Sequence, residues 1–401
     1  MIVPSTRMKS ILSSICSTGK LALALMLGCQ VVIAAENPPQ VDSLRAYIKA
    51  HSQAPEDYIV SKFKKYDYVF VGEYHKIKQD QLLIQKLIPI LYTAGIYNLG
   101  IEFGNHDYQP QIDSLTTAGD YDANKARWVT FKWSTWWGYQ EYEDLFRSAW
   151  QLNRSLPAGA RKFRVVALNY APDYRKLTQE GGQENWKQVN YRGDQDSYMA
   201  RMILDEFVHK GEKALIYSGS HHAFTAYHQP DCDFNPLKFY RFETGRMGNL
   251  VHDSIPDRVF NIFLHSPWMT IRGENDYESP IMGAIDTVMT AFKNPRFGFD
   301  CEGTPFGELR DTMAYYSVGY KDFKLADFCD GYIYQSDFCT LEGGTPDTLF
   351  VSEENLQEAI KGIMTWKGQQ NYKTVADFSN TFKYYTDPAV LFPGLCAERK
   401  K

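Results

Sequence analysis

The residues equipped for chemistry recur at one kind of place. Glu73 and His75 stand in Gly72-Glu73-Tyr74-His75, directly after the apolar run Tyr68-Val69-Phe70-Val71. Glu102 closes a second apolar run in Gly100-Ile101-Glu102-Phe103-Gly104. Asn169 and Asp173 follow a third, His221 and His222 follow a fourth in Ser218-Gly219-Ser220-His221-His222, and His265 follows a fifth. Acids and imidazoles gathered in this way support two kinds of chemistry. A histidine can take a proton from water while a carboxylate orients it or holds its conjugate acid. Alternatively, imidazole and carboxylate can hold a divalent metal that lowers the pKa of bound water. Sequence spacing does not choose between them. Structural roles compete at each position. Glu73 at a strand-to-helix turn can cap the following helix, and Glu102 beside an apolar strand can belong to a buried ion pair. Neighbouring histidines in a loop point in different directions, which leaves one of His221 and His222 structural. The chain has no Gly-x-Ser-x-Gly elbow, P-loop or dinucleotide fingerprint.

The elements that must position these residues are short apolar runs with longer segments between them. Six runs read as strands: Tyr68 to Val71, Leu99 to Ile101, Phe163 to Leu168, Ala214 to Tyr217, Val259 to Leu264 and Tyr332 to Tyr334. Runs this short and this apolar are those of strands buried on both faces. Gln79 to Thr93 carries Leu82, Leu83, Leu87 and Leu91 at helical spacing and closes at Gly95, with Pro89 expected to kink it. Tyr198 to Lys210 reads as a second helix, stopped by Gly211. The alternation predicts an α/β fold: a mainly parallel central sheet with helices on both faces. In such a sheet the carboxyl ends of the strands share one edge, so four consecutive strands deliver acids and histidines to one rim. The expected organisation is a linker and short helix over 36–57, an α/β domain over 58–344 and a helical tail over 345–401. Within the tail, Glu353 to Trp366 is the strongest helical segment. An aromatic-rich helical insertion at about 120–155 reads as a subdomain core, with a ligand lid as the competing role. Cys232 to Asp257 reads as irregular loop.

Residues 1–35 read as a signal peptide. Arg7, Lys9 and Lys20 precede the apolar stretch Leu21 to Ala35, which is too short for a membrane span of about 20 residues. A lipoprotein signal acylated at Cys29 is the alternative, giving a lipid anchor but no span. Export to a periplasmic or secreted location is the expectation. Without the leader the chain has 40 Lys+Arg against 48 Asp+Glu, an acidic balance that argues against a nucleic-acid partner. Five cysteines then remain, so at least one stays unpaired, and Cys329 with Cys339 is the closest pair in sequence. Their spacing does not suit a zinc–thiolate site.

The stretch Val69-Phe70-Val71-Gly72-Glu73-Tyr74-His75, a helix, and then Ile101-Glu102-Phe103 resembles the superfamily that joins ChaN-like haem-uptake lipoproteins, Tiki/TraB proteases and erythromycin esterases. Asp196-Ser197-Tyr198-Met199-Ala200 and Gly219-Ser220-His221-His222 match its later motifs, from about Tyr66 to Phe224 in all. The arginine that often precedes the Asp-x-x-Met motif is Gln195 here, with Arg192 nearby. The resemblance implies that Glu73, His75, Glu102 and His222 are the functional positions. His75, Glu102 and His222 would be the ligands of any metal, and His221, Asp196 and Arg192 are secondary candidates. The convergence of these four residues at one edge points to a hydrolase of an ester, lactone or amide bond in a small-molecule or peptide substrate, with or without a bound divalent metal. The alternative from the same superfamily is a non-catalytic haem- or iron-binding protein. The oligomeric state is not implied.

Overall fold

Apolar stretches of four to eight residues are too short to bury a helix face and long enough to cross a sheet, and here they do so. In the computed structural model, residues 41–178 and 183–397 are described. The leader, with Cys29, lies outside them. Eleven strands occur among the described residues: β1 Tyr68–Glu73, β2 Asn98–Asn105, β3 Arg164–Asn169, β4 Ala214–Gly219, β5 Gln229–Asp233, β6 Lys238–Glu243, β7 Val259–Leu264, β8 Trp268–Thr270, β9 Gly273–Glu278, β10 Phe297–Asp300 and β11 Gly331–Tyr334. Seven form the central sheet, in the order β10-β11-β7-β1-β4-β2-β3. Six of these run parallel, and β10 alone pairs antiparallel, against β11. The fold is α/β as expected, and β10 is the strand of this sheet that lies outside the six apolar runs.

Alternation along each strand sends successive side chains to opposite layers. Val69, Val71, Ile101, Phe103, Leu215 and Tyr217 join the helices Lys78–Thr93 and Gln140–Ser155 in one buried layer. Tyr68, Phe70, Leu168 and Ile216 pack on the other side against Met199, Ile203, Phe207 and Val251. Under β11 and β10, Phe263, Phe299 and Tyr332 receive Leu44 and Ile48 of the helix Val41–His51. Among the described residues no helix is long and apolar enough to cross a membrane.

Several expectations are corrected. The helix Lys78–Thr93 contains Pro89 and continues past it. Its buried stripe is Leu83, Ile84, Leu87, Ile88 and Leu91, joined by the polar Asp80 and Gln81, whereas Leu82 is 44% exposed. The helix expected over Tyr198 to Lys210 starts at Gln195 and changes after Ile203 to a π turn over Leu204–Val208. Cys232 to Asp257 is not irregular: it takes in the antiparallel β5–β6 hairpin and the helix Met247–Ser254. The tail segment Glu353 to Trp366 holds only the short helix Leu356–Lys361, and its longest helix is Val375–Tyr384. The aromatic insertion is two helices, Ala123–Phe131 and Gln140–Ser155, with a connection between them; Phe131 and the connecting Trp133, Trp137 and Tyr139 are buried with Phe350, Phe378 and Phe382 of the tail. It is therefore core.

Cys339 is disulfide-bonded to Cys396, not to Cys329, while Cys232, Cys301 and Cys329 are free thiols. Strand β11 separates Cys329 from Cys339, and four extended residues alone carry the chain about 13 Å, beyond disulfide reach. Cys329 faces Cys301 instead, with the sulfurs 3.7 Å apart.

Candidate active site

Glu73 ends β1 on the same layer as Val69 and Val71, so its side chain enters the interior and is 1% exposed. A buried carboxylate needs donors, and it has four. His75 Nδ1–H donates to Oε1 at 2.9 Å and Tyr142 O–H to the same oxygen at 2.5 Å. Gln81 Nε2–H donates to Oε2 at 2.8 Å, and the Tyr217 hydroxyl donates to that oxygen too. A carboxylate offers only acceptors, so the proton of the imidazole sits on Nδ1 and Nε2 is the basic nitrogen. Burial and the charge of Glu73 push both tyrosine hydroxyls well above their ordinary range, which keeps them as donors. The nearby Asp80 is pushed up by burial and by Glu73, and accepts from Gln335. The ring of His75 is held edge-on between Phe103 and Trp137, at centroid distances of 5.7 and 5.2 Å.

The second histidine is built differently. His222 lies in the single turn Ser220–Ala223 that follows β4. Its Nδ1 is 2.5 Å from Asp196 Oδ1, and its Nε2 is 3.5 Å from Glu102 Oε1. Asp196 occupies the first turn of Gln195–Ile203 and accepts the Met247 N–H at 2.8 Å, the first free donor of the helix Met247–Ser254. Arg246 approaches the other oxygen of Asp196 at 3.4 Å and donates to Gln229. Burial works against a charged imidazole here, but Glu102 and Asp196 outweigh it and raise the His222 pKa to about 9. Burial pushes the Asp196 carboxyl up, yet His222 and Arg246 hold it below its ordinary value. His222 is thus an imidazolium at neutral pH.

Glu102 lies between the two pairs. It accepts the Gly219 N–H at 2.8 Å through Oε2 while Oε1 faces His222. Gly219 touches both sides of the site: a Cβ there would fall 2.8 Å from His75 Nε2 and 3.5 Å from Glu102 Oε2. Gly72 is equally constrained, since its Cβ would meet Ser220 Cα at 2.7 Å. These two glycines let β1 and β4 bring their end residues together.

The rim therefore gathers Glu73, His75, Glu102, Asp196 and His222. It does not gather His221, whose Nε2 meets the Tyr316 hydroxyl at 3.0 Å and whose ring stacks on Phe224. Burial, reinforced by Arg246 and His222, pushes its pKa down to about 3, so it stays neutral. Arg192 pairs with Asp107 at the half-exposed surface instead of the site. Gln195, in the place of the expected arginine, donates to Asn169. His265 is core, against Tyr332 and Asp286. Sequence reading missed Gln81, Tyr142, Tyr217 and Arg246. The signal for Gln81 was a polar residue in step with the buried stripe of its helix, and Tyr142 is in step with Leu145, Phe146 and Ala149. Nothing local distinguishes Arg246.

His75, Glu102 and His222 are the donor types that suit a divalent ion. Among the described residues, however, no three His, Cys, Asp or Glu side chains are gathered into a metal-holding group. An imidazole oriented by one carboxylate, a cation held by another and a carboxylate between them are groups that can move protons.

Residues 59–195 match the family described as "Haem-binding uptake, Tiki superfamily, ChaN". The match takes in Glu73, His75 and Glu102 and stops short of Asp196 and His222. No curated protein matches the chain. Among solved structures, the chain is similar to ChaN of Campylobacter jejuni, described with cofacial heme binding, at 16% identity over 55% of this chain and 89% of that one, TM-score 0.35. It is similar to a mutant of the erythromycin esterase EreC in its open conformation, at 11% identity over 69% and 91%, TM-score 0.44. A succinoglycan biosynthesis protein aligns at 10% identity over 73% and 95%, TM-score 0.48.

Proposed function

Starting from a chain that carries the ChaN/Tiki family signature over residues 59–195, we propose that it is a hydrolase of an ester, lactone or amide bond, exported by its basic-then-apolar leader to the periplasm or the exterior. The observation that carries this reading is the meeting of two carboxylate–histidine pairs, Glu73–His75 and Asp196–His222, on either side of Glu102. His75 Nε2 takes a proton from water as the water oxygen attacks the substrate carbonyl carbon. The charge that forms on the imidazole is held by Glu73 through Nδ1–H. His222, already cationic, donates its Nε2–H to the carbonyl oxygen as negative charge develops there. Its contact with Glu102, at 3.5 Å, is long enough to be exchanged for the substrate oxygen. His75 then returns the proton to the leaving group. The test is hydrolysis of p-nitrophenyl esters, lactones and p-nitroanilides by the mature protein. Turnover lost in His75→Ala with the melting midpoint retained supports the reading, and a wild-type protein inert to all three classes removes it.

A haem-binding role is the second reading, favoured by the description of the matched family. Fit at the rim is poor. Tyr142 and Tyr217 are buried with their hydroxyls on Glu73, and both nitrogens of His222 face carboxylates. An axial ligand there would have to be His75 Nε2. A Soret band on adding haemin that disappears in His75→Ala would favour this reading over hydrolysis.

A further inference from the structure

The residue after His75 breaks two ordinary rules. Lys76 has a φ of 71°, in the left-handed region that favours glycine, and it is 4% exposed although it carries an ammonium group. Strain and a buried charge at one position persist only where the surroundings over-determine them. Here they do. The Lys76 N–H donates to Tyr142 Oη at 3.0 Å, the same hydroxyl that donates to Glu73. Its carbonyl accepts the N–H of Gly344 from the start of the tail at 2.7 Å. Its Nζ lies 3.9 Å from the ring centre of Tyr385, 5.4 Å from Trp137 and 5.5 Å from Tyr139. Trp137 is also the ring against His75. Among the described residues Lys76 forms no ion pair at contact distance, and the carboxylate whose charge acts on it is Glu73. Burial pushes the ammonium down to about 8, with Glu73 opposing.

We propose that Lys76 is a positioning residue for His75: its ammonium, boxed by Trp137, Tyr139 and Tyr385, balances the buried charge of Glu73 and pins the strained turn that aims the imidazole. Arg246 reaches Asp196 directly at 3.4 Å, whereas Lys76 acts on Glu73 through its charge alone, without a contact pair. The role assigned to His75 itself rests on the hydrolase reading.

The experiment compares the mature wild-type chain with Lys76→Met and Lys76→Arg. One measurement is the rate at which diethyl pyrocarbonate modifies His75, read by peptide mass spectrometry with the exposed His51 as internal reference. The other is kcat and KM on p-nitrophenyl acetate. Lys76→Met should change the modification rate of His75 but not of His51, and lower kcat by about tenfold with little change in KM, as expected of a misaimed base. Lys76→Arg, which keeps the cation in the box, should restore both. If Lys76→Met matches wild type, or Lys76→Arg is as impaired as Lys76→Met, the proposal fails. If the wild type does not hydrolyse this ester, the His75 modification rates alone decide on Lys76, and the hydrolase reading is judged on the three substrate classes together. Should Lys76→Met not fold, Tyr385→Leu removes one wall of the box and is judged by the same two measurements.

Discussion

Glu73 reaches His75 from two residues away on the end of one strand, whereas Asp196 reaches His222 from a different helix, 26 residues back in the chain. The first carboxylate is surrounded by neutral donors, Tyr142, Tyr217 and Gln81, in a layer closed to water. The second stands at the start of a helix with Arg246 alongside. The same pair of functional groups is thereby tuned to different tasks. Neutral donors use up the lone pairs of Glu73 and fix one imidazole tautomer. On the other side, two carboxylates facing one imidazole, Asp196 and Glu102, keep His222 charged.

The largest test of this contrast is on rate. His75→Ala should lower kcat by about 10²–10⁴, the range for a lost general base, with the thermal midpoint nearly unchanged because the ring is partly exposed. Stability separates the two carboxylates next. Glu73→Ala should cost about 3–5 kcal/mol in denaturant titration, since it orphans buried donors on three elements. Glu73→Gln should cost less. If Glu73→Ala were no less stable than wild type, the network would not be structural as described.

The pH response isolates the second pair. His222 is raised in the folded chain from 6.5 to about 9, so its contribution to stability is complete below pH 6.5 and is lost as pH rises through about 9. Asp196→Asn should pull the alkaline limb of both the stability and the rate profiles to lower pH. An unmoved limb would mean that His222 is not the group titrating there. The smallest effect belongs to the surface. Arg192→Ala should change stability by less than about 1 kcal/mol and leave turnover alone, because its pair with Asp107 is half-exposed.

How far the site could be read in advance follows the same divide. Glu73, His75 and Glu102 were legible because a parallel sheet places the residue after each strand on one edge, and strand ends are visible as the limits of apolar runs. Asp196 and Arg192 were equally plausible on the page, yet one enters the site and the other pairs on the surface. For Gln81 and Tyr142 the sequence shows only that each shares the buried stripe of its helix, and a hydrogen bond between layers adds nothing local to say that both meet Glu73. The free thiols Cys301 and Cys329 likewise meet only because β10 returns antiparallel beside β11.

The sequence by itself determined the strands of the parallel sheet, the layer each strand side chain enters and the edge at which acids and histidines collect. These follow from alternation and run length, which are local. Tertiary structure alone decided that Asp196 lies behind His222, that His221 turns to Tyr316, and that Lys76 is boxed by Tyr385 of the tail. Those outcomes depend on which layers pack together and how much charge each buried group meets there. Burial and electrostatic balance are set by contacts between distant segments, so no local pattern carries them.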